Sequence, residues 1–326
     1  MYEKKLTLKE TQYAIEKLKD IFSHSLRKKL NLVRVSAPLF LRSSSGLNDG
    51  LNGETPIVFT AKNIGENLEV VHSLAKWKRD ALQRYHFDIY EGLYTDMNAV
   101  RREEDLDNKH SFYVDQWDWE LVINEADRNI NFLKKIVQKI YRSLKITEKR
   151  INKIYPSLSN KLARKVFFIS ALDLYNLYPD LNADQREYEI VKKHGSVFIY
   201  QIGWSLPDGK PHSKRAKDYD DWNLNGDLIV YDSINDQALE ISSMGIRVDK
   251  KAIRRQYDLS IDEIAALSPY HAKLINKELP FTIGGGLGQS RIAMFLLEKK
   301  HIGEVQVSVW DEENLIKAKK ENIIIL

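Results

Sequence analysis

Apolar positions near the start of the chain fall mostly at helical spacing, at Tyr13, Ile15, Leu18, Ile21, Phe22 and Leu26. Thr7-Leu-Lys-Glu10 ahead of them is a capping box, so a helix is expected to about Leu30. Asn31 to Leu41 then alternates apolar and polar, as a strand broken at Pro38 does. Turn formers over 43–53 make a loop, strand-like runs follow near 56–60 and 68–72, and Ser73 is placed to cap a helix through Arg84. Further strands fit 89–95 and 110–115, with the charged loop RREEDLDNK between them. The apolar stripe Leu133, Ile136, Val137, Ile140 and Leu144 belongs to a long helix expected from about Trp117 to Ile154. In the second half, strands are expected near 166–169, 197–202, 227–231, 239–242, 279–283 and 304–309. Helices are expected at 184–194, opened by Asp184-Gln-Arg-Glu187, and at 260–267, 270–278 and 288–299. No repeat, low-complexity stretch or Pro/Gly/Ser linker divides the chain, so residues 1–326 read as a single domain. The strands cluster without strict βαβ alternation. That predicts an α+β fold, a mainly antiparallel β-sheet flanked by helices.

Composition narrows the function classes. Hydrophobic residues make up 43% of the 326 positions and charged ones 29%, the profile of a soluble globule. Lys and Arg number 50 against 46 Asp and Glu, too mild an excess to mark a nucleic-acid binder. Residues 134–165 nevertheless hold 11 Lys or Arg against one acidic residue, either a solvated helix face or a contact for RNA. Cysteine is absent, which excludes disulfides, iron–sulfur clusters, cysteine-bound zinc and a thiol nucleophile. The charged start does not resemble a secretory signal, and no run of 18 apolar residues occurs, so no membrane association and a cytoplasmic location are expected.

Four segments carry candidate chemistry. Phe281-Thr-Ile-Gly-Gly-Gly-Leu-Gly288 runs from a strand through four glycines in five positions into a helix whose first turn holds Arg291. Glycines there admit a flat ligand or another backbone, and the helix start with its arginine suits phosphates. The alternative is a turn that only permits close packing. Asp218, Asp220 and Asp221 repel one another unless a cation or amine is shared among them. Asp227 and Glu240 end two strand-like runs joined by a turn at 232–237, so a hairpin can set both on one face, as a Mg²⁺–phosphate site requires. Arg247, between apolar Ile246 and Val248, is costly to bury unless it pairs. Ser73, Lys76, Lys78 and Arg79 leave the mouth of a strand together, a grouping that suits a carboxylate or phosphate. Arg101, a polar loop and the return strand from His110 form a hairpin able to hold a nucleotide base and its α-phosphate.

These residues converge on a known pattern. The strand ending at Ala37-Pro38-Leu39, the arginine–loop–strand from Arg101, and Gly284 to Arg291 resemble the three motifs of class II aminoacyl-tRNA synthetase catalytic domains. More closely, VVHSLAKWKR at 70–79, EGLYTDM at 91–97, YVDQWDWE at 113–120, DYDDW at 218–222, LNGD at 224–227, EISSMGIRV at 240–248 and TIGGGLGQSR at 282–291 resemble the ammonia-dependent asparagine synthetase (aspartate–ammonia ligase) family. The resemblance spans nearly the whole chain. It implies a class II synthetase-like catalytic domain over 1–326 and a cytoplasmic homodimer. It also implies asparagine synthesis from aspartate, ammonia and ATP through a β-aspartyl-adenylate, with AMP and pyrophosphate released. By position, Arg101 is expected at the α-phosphate and Arg291 at the γ-phosphate, with His110, Arg215 and Gly286 also at ATP. Asp227 and Glu240, with Ser243, are the Mg²⁺ candidates. Asp49, Ser73, Lys78, Gln116, Asp220, Ser242 and Arg247 are expected around aspartate, with Lys78 or Arg247 at its carboxylates and Asp49 or Asp220 at its ammonium. Asp118 is expected to bind ammonium and take its proton. The competing readings are an aspartyl- or asparaginyl-tRNA synthetase without its nucleic-acid barrel, and a silent regulatory relative.

Overall fold

The computed structural model describes residues 2–48 and 53–326. Thr7 Oγ1 accepts the Glu10 N–H and the Glu10 carboxylate accepts the Thr7 N–H, so α1 (Leu8–Leu30) starts at the expected box. Asn31 ends it in the left-handed region, at φ 56°. Ala14, Leu18, Phe22, Leu26 and Leu30, four residues apart, form its buried stripe. Pro38 has no N–H for a ladder, and the chain on its two sides enters two different sheets. β1 (Leu32–Arg34) joins a large sheet, whereas β2 (Phe40–Arg42) joins β3 (Val58–Phe59) and β4 (Leu68–Val70) in a small one. In α2 (Ala75–Arg84), Leu74 rather than Ser73 takes the N-cap position, although Ser73 Oγ accepts the Ala75 N–H at 3.1 Å.

The stretch from Trp117 corrects the expected helix. β5 (Gly92–Val100) and β6 (Tyr113–Val122) pair as a hairpin, and α3 (Ile130–Ile154) starts only after Asn129 caps it. Trp117 and Trp119 alternate with Gln116, Asp118 and Glu120, a period of two that suits a strand with one apolar and one polar face. Next come β7 (Phe167–Ser170), α4 (Ala171–Leu177), α5 (Ala183–His194) and β8 (Ser196–Tyr200). α5 is opened by a capping box of Asn182 and Gln185, not by Asp184. β9 (Asp220–Asp232) and β10 (Gln237–Arg247) make a longer hairpin than the alternation showed, with a register shift between Glu240 and Ser242. Then follow α6 (Lys250–Gln256), α7 (Ile261–Ala266), α8 (Pro269–Ile275), β11 (Thr282–Gly288), α9 (Gln289–Leu296) and α10 (Glu312–Lys320). The strand expected over 304–309 does not form. The segment alternates, but it has no ladder neighbour among the described residues, and Val307 and Val309 stand 70% and 75% exposed.

The large sheet has the order β1-β5-β6-β11-β10-β9-β8-β7. Its six inner strands are antiparallel, and only the outermost pairs, β1 with β5 and β7 with β8, are parallel. The fold is α+β with a mixed, mostly antiparallel sheet. Phe22 of α1, Leu133 and Ile140 of α3, Phe295 of α9 and the sheet residues Trp117, Trp119, Met244 and Leu287 share one core. Trp117 meets Phe22 at 4.5 Å between ring centroids. With the tryptophans of β6 turned into this core, the alternate residues of the same strand face the other way, and the polar site lies there. Among the described residues no helix is long and apolar enough to cross a membrane.

Candidate active site

The central strands β6, β11, β10 and β9 present a polar face in the middle of the sheet, and α2 lies across it. Of the residues expected at ATP, aspartate, ammonium or Mg²⁺, all border one cleft there except Asp227, which lies 3.9 Å from Arg215, and Asp49, which falls outside the described residues; Lys76, Arg79, Asp218 and Asp221 do not line it.

β11 explains the glycines. They lie within a strand, where a side chain would collide with its neighbours. A Cβ on Gly284 would stand 1.8 Å from Glu120 Oε2, and one on Gly286 would stand 2.1 Å from Gln116 Oε1. On the opposite face, a Cβ on Gly285 would meet Met244 Cβ at 2.5 Å. The run therefore makes room for site side chains on one face and for the core on the other. Ser242 Oγ donates to Gly286 O at 2.9 Å.

At one end of the cleft, charges alternate in a chain. Lys78, deeply buried, donates to Asp118, to Trp119 O at 3.0 Å and to Gly285 O at 3.3 Å, and stands 3.8 Å from Glu120. All three of its donors are thus engaged by the chain. Arg247 grips Glu120 at two points, Nε to Oε1 at 2.9 Å and Nη2 to Oε2 at 2.7 Å, and donates through Nη1 to Asp220. Asp220 also receives Arg215 at 3.0 Å. Burial would raise the pKa of Glu120, but Arg247 and then Lys78 overcome it and hold it below the ordinary range. Burial dominates at Asp118, whose pKa is raised in spite of Lys78. Asp118 Oδ2 is buried with no hydrogen-bond partner. Burial opposes the charge on Arg247, and Glu120 and Asp220 more than offset it, so its pKa is raised well above normal. Glu120 is missing from the sequence-derived candidates although YVDQWDWE contains it. The signal was the spacing Gln116, Asp118, Glu120, readable only once the segment is taken as a strand.

Among the described residues each of the three clustered aspartates is met by cations of its own. Asp218 takes Lys76 at 2.8 Å and His271 at 3.3 Å, Asp220 takes Arg215 and Arg247, and Asp221 takes Arg128 at 3.0 Å and Arg255 at 3.5 Å. Only Asp220 of the three reaches the cleft.

The other end is lined by loosely held arginines. Arg291, in the first turn of α9, donates to Glu240 O at 3.2 Å and lies 3.9 Å from its carboxylate. Arg101, just past β5, comes no nearer than 4.0 Å to Glu104, and its Nε is buried without a partner. His110 is oriented by Asp107, 2.9 Å from its Nδ1. Asp227 faces Ser243 across the β9–β10 ladder. Burial and the nearby Glu240 push the Asp227 carboxyl up to about 7. Its Oδ1 and Ser243 Oγ are buried with no hydrogen-bond partner. Among the described residues no three His, Asp or Glu side chains cluster to hold a metal by themselves. Two carboxylates and a hydroxyl with unused lone pairs do fit a hard divalent cation that brings phosphate oxygens with it.

A family model described as aspartate–ammonia ligase matches residues 9–322. An aspartate–ammonia ligase from Clostridium tetani is 52% identical over 327 aligned positions, covering 100% of this chain and 96% of that one. One from Fusobacterium nucleatum is 51% identical, covering 100% and 99%. Among solved structures, asparaginyl-tRNA synthetase from Pyrococcus horikoshii complexed with asparaginyl-adenylate superimposes with a TM-score of 0.66 at 15% identity, over 91% of this chain and 68% of that one. The enzyme of the same name from Entamoeba histolytica gives 0.60 at 16% identity, over 91% and 66%. At that identity the likeness is one of fold.

Proposed function

Since the chain belongs to the aspartate–ammonia ligase family, we propose that its cleft makes L-asparagine from L-aspartate, ammonia and ATP by way of a β-aspartyl-adenylate. The observation that carries the mechanism is the juxtaposition of two unlike ends in one cleft. The Lys78–Asp118–Glu120–Arg247–Asp220 chain suits a small zwitterion with an extra carboxylate. Arg101, Arg291 and Arg215 beside it suit a polyphosphate.

In the first half-reaction the aspartate side-chain carboxylate oxygen attacks the α-phosphorus. The bond from that phosphorus to the bridging oxygen breaks, and pyrophosphate leaves. Arg101 holds the α-phosphate and Arg291 the γ-phosphate, where always-charged donors stabilise the growing negative charge. His110 and the bare edge of Gly286 receive the nucleotide, and Arg215 closes on the pyrophosphate. Asp227 and Glu240, with Ser243, would hold Mg²⁺, which neutralises phosphate charge when bound. Arg247 and Lys78 orient the substrate carboxylates, Lys78 by releasing one of its present acceptors. Asp220 receives the substrate ammonium, and Ser73, Gln116 and Ser242 add neutral hydrogen bonds. In the second half-reaction ammonia attacks the acyl carbon and the bond to AMP breaks. Asp118, through its unpartnered oxygen, binds ammonium and takes the proton it must lose. Enclosure keeps water from hydrolysing the adenylate first. The whole chain acts as one catalytic domain in a cytoplasmic homodimer, with no nucleic acid and no membrane as partner.

The test is asparagine formation from aspartate, ATP, Mg²⁺ and ammonium, with AMP and pyrophosphate as products. Glutamine is expected to be no substitute for ammonium, because no cysteine is present to release ammonia from it. AMP formed only when tRNA is added and becomes charged would favour the tRNA synthetase reading instead.

A further inference from the structure

We propose that Glu120 is the positioning residue of the amino-acid end of the cleft, fixing Arg247 so that its remaining donors meet a carboxylate of bound aspartate. The inference rests on the aspartate-activating reading above. Glu120 has 0% exposure, and both its oxygens face the same guanidinium edge, at 2.9 and 2.7 Å. Such a two-point grip fixes the plane and direction of the group as well as its charge. Asp220 takes a third donor, on Nη1. A guanidinium has five N–H groups, so one remains on each terminal nitrogen, and Arg247 borders the cleft. Lys78, its neighbour, has no donor left in this arrangement. Arg247 is therefore the group ready for a carboxylate, and Glu120 is what aims it. The opposing strand is shaped for this pair. A Cβ on Gly284 would stand 1.8 Å from Glu120 Oε2 and 2.5 Å from Arg247 Nη2. Stability alone does not account for such an arrangement, because apolar side chains of similar volume generally serve a buried site at least as well as an ion pair does.

The test is Glu120→Gln, the same shape without the charge. Aspartate and ATP binding are measured separately by calorimetry, and folding by thermal unfolding. Wild-type protein is first assayed for aspartate-dependent exchange of pyrophosphate into ATP, and no exchange there defeats the functional reading itself, whatever Glu120 does. With exchange established, Glu120→Gln is expected to raise the Kd for aspartate roughly 10- to 100-fold, the scale of a lost charged hydrogen-bond pair. The Kd for ATP is expected to stay at its wild-type value. Wild-type or tighter aspartate binding in the folded variant overturns the proposal. Equal weakening of both ligands overturns it too, since a merely structural group would act on both. If Glu120→Gln does not fold, Glu120→Asp decides, because it keeps the charge but withdraws it by one methylene. Folded Glu120→Asp with weakened aspartate binding alone supports the proposal, whereas unchanged aspartate binding, or failure of both variants to fold, assigns Glu120 to stability and overturns it.

Discussion

Asp227 sits where burial and Glu240 both disfavour its negative charge, so its carboxyl titrates near pH 7 instead of at the ordinary 3.8. Between those two values the folded chain holds a proton that the unfolded chain lacks. Its contribution to stability is thus complete below about pH 4 and fades as the pH rises through about 7. A cation needs the ionised form, so metal and proton compete for the same oxygens. Binding of Mg²⁺ with ATP at pH 6 is therefore expected to release a proton and to tighten as the pH is raised towards 8. Calorimetry in two buffers of different ionisation enthalpy reads the proton directly, and Asp227→Asn should abolish the buffer dependence. Equal heats for the wild type in both buffers would remove Asp227 from the metal site. This residue is legible in the sequence because a short turn between two alternating runs brings the ends of a hairpin together. Glu120 is not, because its partner Arg247 lies 127 positions away and only the folded sheet brings the two within hydrogen-bond distance.

Local signals read well where one element decides its own ends. The Thr7–Glu10 box starts α1, and the four-residue stripe from Ala14 to Leu30 predicts the face it buries. Thr7→Ala removes the acceptor for the Glu10 N–H and is expected to lower unfolding stability by about 1 kcal/mol. Thr7 does not line the cleft, so kcat and both substrate KM values should stay unchanged, and a matching loss of activity at a temperature where the variant is folded would contradict this. Signals fail where tertiary neighbours decide. Trp117 to Val122 precedes the apolar stripe of 133–144 and reads as the start of the same long helix, but β5 and β11 flank it and the two-residue period prevails. Residues 304–309 have the same period and no ladder neighbour among the described residues, so alternation alone does not make a ladder. The glycine run is conspicuous in the sequence, yet its purpose belongs to the opposing strands. It clears space for Glu120, Arg247 and Gln116.

At the scale of the whole molecule, β1 is the outermost strand at one edge of the large sheet, with no strand beyond it among the described residues. Val33 on it is 55% exposed, and Leu39, Phe40, Ile89 and Tyr90, on segments beside β1 in the sequence or the sheet, are 52, 47, 52 and 48% exposed. An open edge with apolar side chains invites pairing and is rarely left bare by a monomer. If the chain forms the homodimer proposed above, this edge is where its contact is expected. The contact bears on chemistry through a short path, because β1 pairs with β5 and Arg101 follows the last residue of β5. The double substitution Val33→Asp and Leu39→Asp places charge on that edge without touching the cleft. It is expected to convert a sedimenting dimer into monomers at micromolar concentration and to lower turnover, with the apparent Kd for ATP affected more than that for aspartate, since Arg101 lines the end of the cleft proposed for the nucleotide. A wild-type chain that sediments as a monomer while making asparagine at full rate would show that the edge is solvent-facing in the working enzyme and that β5 needs no second copy to hold Arg101 in place.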